Sequence, residues 1–177
     1  VMQRIGLQSV AAVLIKWVGT LAIALGVVFL VLDIVTGQGN ALKEANKTLG
    51  SAAEYGAIAA GLLWLSRHVW TYARKNKLNA AQYMRQAFLF LKKHHTLVGY
   101  AVLSLSVSHG VYFLLKGSKH VLQFYSGIGA IIALLLVSFA GILLQKLGVR
   151  KSLAKYRRIH QVIASLFGIG LLIHLIV

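Results

Sequence analysis

From Leu122 to Leu144 the chain reads LQFYSGIGAIIALLLVSFAGILL, without one charged side chain. A helix of that length crosses the roughly 30 Å hydrocarbon core of a bilayer. Apolar runs of this kind recur five times, near 15–36, 52–72, 95–116, 122–144 and 158–177. Hydrophobic residues make up 58% of the chain, charged residues 12%, and mean hydropathy is +0.75. That composition is too apolar for a water-soluble domain of this length. The spans predict an all-α integral membrane bundle of five transmembrane helices, forming a single domain over 1–177. The first span is too long and too internal for a cleaved signal peptide.

The Lys and Arg residues are unevenly shared among the loops. Arg4, Lys16, the seven from Arg67 to Lys93 and the six from Lys146 to Arg158 fall on one side, against Lys43, Lys47, Lys116 and Lys119 on the other. The positive-inside rule therefore predicts a cytoplasmic N-terminus and a C-terminus outside, in a bacterial cytoplasmic membrane. Basic charge in short juxtamembrane segments meets anionic lipid headgroups, so a net charge of +16 does not imply nucleic acid as a partner. Within 74–94, basic residues alternate with Leu, Phe and Tyr as an interfacial amphipathic helix would, a pattern that lipid contact explains more simply than a docked partner. The acidic residues Asp33, Glu44 and Glu54 all fall toward the outer side and read as decoration of a loop and helix ends.

Inside this apolar frame the histidines follow a pattern. HTLVGYAVLSLSVSH runs from His95 to His109 and HQVIASLFGIGLLIH from His160 to His174, each pair fourteen residues apart. Fourteen helical residues advance about 21 Å and stop some 40° short of four full turns, so both rings of a pair leave one stripe at different depths. The third and fifth spans run parallel, which sets His95 level with His160 and His109 level with His174. Each level offers two facing imidazoles, the ligand set of a six-coordinate b-type haem. Two haems are expected, with iron ligands His95 and His160 on the cytoplasmic side and His109 and His174 on the outer side. Histidines held in the core only by hydrogen bonds are the simpler reading, but ionisable groups in a bilayer are rare and usually functional. His94 competes with His95 but breaks the fourteen-residue spacing, and His68 and His120 fall at predicted interfaces.

The absence of Cys excludes thiolate ligation and covalent c-type attachment, so any haem is held non-covalently. Gly99 and Gly170 lie one turn inward from His95 and His174, where a flat macrocycle needs room. Phe167, seven residues from each histidine of its helix, falls between the two levels and packs the space there. Arg157 and Arg158 are candidate partners for haem propionates, at positions that membrane anchoring also explains. Lys92, Lys93, Lys116 and Lys119 share that double reading.

HTLVGYAVLSLSVSH, together with YRRIHQVIASLFGIGLLIH at 156–174, resembles the haem-binding membrane domain of the ferric reductase and NADPH oxidase superfamily. The resemblance covers mainly 92–177. It implies two stacked haems on the third and fifth helices, Phe167 as an aromatic between them, and electron flow from a cytoplasmic flavin toward an outer acceptor such as ferric iron or dioxygen. Complete members continue into flavin and nucleotide domains, whereas this chain ends three residues after His174. Either the donor is a separate cytoplasmic flavoprotein or a quinol, or the chain is a fragment of something longer; it is expected to be an electron-transfer subunit of an oxidoreductase within a larger membrane complex.

Two other readings stay open. A quinol-linked cytochrome b also carries paired histidines on two parallel helices, although on the second and fourth. A transporter relaying protons or binding a transition metal is a different class, but metal centres generally need three or four protein ligands and each level here supplies two.

Overall fold

The computed structural model describes residues 2–36, 40–117, 120–147 and 153–177. Lys119, Arg150 and Lys151, counted above as topology markers, lie outside them. The described chain is all helical: α1 Met2–Thr36, α2 Asn40–Lys75, α3 Ala81–Lys116, α4 Val121–Leu147 and α5 Leu153–Ile176. Four segments are long and apolar enough to cross a membrane: Ser9–Thr36, Ala81–Lys116, Val121–Lys146 and Leu153–Ile176. The protein is thus suited to a multi-pass place in a membrane. α2 is as long as the others, but Glu54, Tyr55, Arg67 and His68 dilute its apolar stretch, and it falls short of the four on apolarity.

The expected interfacial helix within 74–94 is not a separate element. α2 ends at Lys75, and α3 starts at Ala81 and continues unbroken to Lys116. No Gly or Pro stands between 81 and 98 to stop it. Trp70 of α2 also stacks on Phe88 of α3, with ring centroids 5.3 Å apart and planes 14° from parallel.

The turn between them closes through two backbone bonds. Leu78 N–H donates to Ala73 O at 2.9 Å and Lys77 N–H to Arg74 O at 3.3 Å. This is the Schellman pattern, which places Lys77 in the left-handed region with φ 50°. A side chain there costs energy that glycine avoids.

The chain divides into two compact units. The first comprises Val1–Val28 and Thr48–Leu105. Its core is Leu49, Ala53, Ala73, Ala101, Val102 and Leu105. Glycines let its helices come close. A Cβ at Gly26 of α1 would sit 2.7 Å from the Ser104 carbonyl carbon of α3, and one at Gly56 of α2 would sit 2.6 Å from a Val102 methyl. Ser104 Oγ uses the proximity to donate to Ile23 O at 3.0 Å. Small residues that admit backbone approach are how helices associate where water gives no hydrophobic drive.

The second unit comprises Phe29–Lys47 and Ser106–Val177. Tyr112, Ala130, Leu134 and Ala140 are its buried apolar residues, and Asp33, Asn46 and Ser108 are buried with them. Gly110 of α3 faces Ile131 of α4, and α4 packs along α5.

Two changes test this packing. Gly26→Ala drives a methyl into backbone and is expected to cost about 1–3 kcal/mol, read as a lower thermal unfolding midpoint in detergent. Lys77→Gly relieves the left-handed residue and is expected to raise that midpoint, by at most about 1 kcal/mol once glycine's own entropy is set against the gain.

Candidate functional site

On α5, His160, Phe167 and His174 lie along one half-buried stripe, while Val162, Leu166, Ile169, Leu172 and Ile173 are exposed. A three-four alternation of covered and exposed positions produces this stripe, which is legible in the sequence. Both rings turn toward α4. His160 Nδ1–H donates to Val137 O at 3.1 Å, and His174 Nδ1 lies 3.2 Å from Ser126 Oγ. Ser126 Oγ also lies 3.0 Å from Gln123 O, so its hydroxyl either donates there and accepts from the ring, or donates to the ring nitrogen.

Glycines lie under both rings. A Cβ at Gly127 would stand 3.1 Å from His174 Cε1, and one at Gly141 would stand 3.4 Å from His160 Cε1. Gly127 and Gly141 are themselves fourteen residues apart, matching the histidine interval on the antiparallel neighbour. The stretch GIGAIIALLLVSFAG displayed this signal, and sequence reasoning passed over it.

His109 on α3 donates its Nδ1–H to Asn46 O of α2 at 2.8 Å and tilts against Phe113 at 4.9 Å between centroids. It lies within electrostatic reach of His174. The two residues expected at the outer level both belong to the second unit, and their pairing stays an expectation. His95 belongs to the first unit and His160 to the second, so their pairing stays an expectation.

Three rings thus share one arrangement: Nδ1 is hydrogen-bonded to an oxygen on another helix, and in His109 and His160, which face carbonyls, that nitrogen carries the hydrogen. Such a ring can offer only Nε2 to a metal, and donation of this kind is what orients and fixes the tautomer of a ligating histidine.

The remaining expected residues fall as follows. A Cβ at Gly99 would meet open space, whereas one at Gly170 would rest 3.8 Å from Ala130 Cα of α4. Arg157 is half-buried and Arg158 exposed. His94, set aside on spacing, is 5% exposed beside Phe90 at 4.8 Å, and its Nε2 has no hydrogen-bond partner among the described residues. His68 is tied within its own helix, with Nδ1 2.8 Å from Trp64 O. Glu44 is exposed and paired with Lys47 at 3.0 Å, as a decorating residue would be.

Asp33 is not decoration. It is 2% exposed, and Asn46 Nδ2 donates to its Oδ1 at 2.8 Å. Ser108 Oγ lies 3.4 Å from Asp33 Oδ2 and 3.2 Å from Asn46 Oδ1. These three side chains are widely separated in sequence, and only the buried position of Asp33 within an apolar run hinted at them.

Among the described residues no group of three or more His, Cys, Asp or Glu is placed to hold a metal ion. No protein-family model, curated protein or solved structure matches the chain.

The tautomer assignment is testable by nitrogen NMR of histidine-labelled protein. His109 and His160 are expected to carry a hydrogen on Nδ1. Ser126→Ala, which removes the hydroxyl partner of His174 Nδ1, is expected to shift that ring alone and to cost about 1–3 kcal/mol.

Proposed function

We propose that this chain is a membrane b-type di-haem cytochrome that carries electrons across the bilayer. The observation that carries the reading is the common state of His109, His160 and His174, each with Nδ1 engaged by Asn46 O, Ser126 Oγ or Val137 O on another helix. Rings held this way present Nε2 in a fixed direction, as an axial ligand must. In this reading His109 and His174 hold the outer haem and His95 and His160 the cytoplasmic-side haem, and the haems supply one-electron carriers. Gly127 and Gly141 let α4 approach close enough to hold the rings against rotation, Phe167 fills the space between the levels, and Arg157 and Arg158 balance propionate charge.

α2 then serves as a fifth span, with the N-terminus cytoplasmic and the C-terminus outside. The donor is a separate cytoplasmic flavoprotein or a quinol, and the acceptor is ferric iron or dioxygen. The chain acts as a subunit of a larger complex in a bacterial cytoplasmic membrane.

A dithionite-reduced minus oxidised spectrum, with haem counted per chain, tests the reading. Two b-type haems per chain are expected. His109→Ala or His174→Ala should lower the count to one through loss of the same haem, and His95→Ala or His160→Ala should remove the other. His94→Ala should leave both. Gly127→Val, which presses on His174, should deplete the outer haem selectively. Protein made with ample haem supply that contains none would sink the proposal in favour of transport through the same histidines, and rapid reduction by a quinol analogue without a flavoprotein would favour the quinol-linked class.

A further inference from the structure

Asp33, Asn46 and Ser108 hold more acceptors than their protons can serve if the carboxyl is ionised. Asn46 Nδ2 has two hydrogens, and both are spent, one on Asp33 Oδ1 at 2.8 Å and one on Leu42 O at 3.0 Å. Ser108 has one hydrogen and two oxygens within reach, Asn46 Oδ1 at 3.2 Å and Asp33 Oδ2 at 3.4 Å. An ionised Asp33 would leave one of those oxygens without a donor, at a site where Asn46 and Ser108 are fully buried. A proton on Asp33 Oδ2 resolves the shortage. Asp33 then donates to Ser108 Oγ, Ser108 donates to Asn46 Oδ1, and Asn46 donates to Asp33 Oδ1. The three side chains close into a head-to-tail ring in which every one of these hydrogens has one acceptor, the condition under which a buried polar network is stable.

We propose that Asp33 is a proton-binding site within the membrane segment, carrying its proton at neutral pH in a closed ring with Ser108 and Asn46. Among the described residues no cation bonds to the carboxyl. Of the elements packed on Asp33, α2 presents Asn46 and α3 presents Ser108, neither charged. Lys47 on α2 is paired with Glu44, and Lys116 on α3 donates to Tyr112 OH at 3.1 Å. The one titratable group that the network reaches is His109, through the carbonyl of Asn46. The neutral ring keeps a negative charge out of the span and holds α1, α2 and α3 in register beside that histidine, so Asn46 and Ser108 act as positioning residues. Loss of the proton opens the ring at Ser108 and loosens Asn46. Asp33 carries its proton whether or not His109 ligates a metal.

Asp33 is the only aspartate in the chain, so aspartate labelled with carbon-13 at the side-chain carboxyl reports on it alone in the unaltered full-length protein. In lipid nanodiscs at neutral pH, infrared and carbon NMR spectra should show a protonated, hydrogen-bonded carboxylic acid, replaced by carboxylate only at alkaline pH. Ser108→Ala should shift the labelled carbonyl band toward that of a more weakly hydrogen-bonded acid or convert it to carboxylate. The His109 nitrogen resonance should move together with the ionisation of Asp33. A carboxylate signal at neutral pH overturns the proposal, as does a labelled signal indifferent to Ser108→Ala.

Discussion

A ring nitrogen that carries a hydrogen cannot be left bare in an apolar helix bundle. An unpaired buried donor costs about 1–3 kcal/mol, a large share of any membrane protein's margin. His109 and His160 meet that demand by donating to a carbonyl of a neighbouring helix, and His174 likewise reaches across, to Ser126 Oγ. Each reach ties two helices at a defined height, α3 to α2 at Asn46 and α5 to α4 at Val137 and Ser126. The bonds therefore serve packing and ring orientation together, and the proposed ligand role depends on the second.

Those reaches are short because small residues line the contacts. Gly127 and Gly141 stand beneath His174 and His160, so α4 approaches the imidazoles closely enough for the Val137 carbonyl and the Ser126 hydroxyl to bond to them. Gly19, Gly26 and Gly56 give the same closeness to α1, α2 and α3 within the first unit, where Leu97, Ser104 and Val102 occupy the space that a Cβ would need. In hydrocarbon the driving force for association is contact and hydrogen bonding rather than water exclusion, and both need such approach. A methyl group at these positions separates the helices and lengthens the hydrogen bonds beside it.

The polar cluster at Asp33 extends the logic to a carboxyl. A charge in the bilayer is costly, and among the described residues Asp33 has hydroxyl and amide partners but no cation. A neutral acid in a closed ring fits that environment, and the ring meets the histidine network at the backbone of Asn46. Tertiary packing thus brings one acid, one amide, one hydroxyl and one imidazole from α1, α2 and α3 into a single connected set.

Local periodicity made much of this legible in the sequence. Apolar runs specified helices because a span must be about twenty residues long, and α5 put His160, Phe167 and His174 on one stripe because a helix repeats every 3.6 residues. The sequence also showed where α2 is diluted by polar residues, although not by enough to separate it from the other four runs by eye. It showed the amphipathic pattern of 74–94 but not that 81–94 continues unbroken into α3, nor that Trp70 and Phe88 stack. Asp33, Asn46 and Ser108 gave no joint signal, because residues 13 and 62 positions apart meet only through helix packing. By itself the sequence determined the helices, their apolar faces and the interval between histidines, all set by neighbours within a few turns. Only the tertiary structure decided which oxygen each ring finds, which glycine lies beneath it and that Asp33 is buried, because those facts depend on the register of one helix against another.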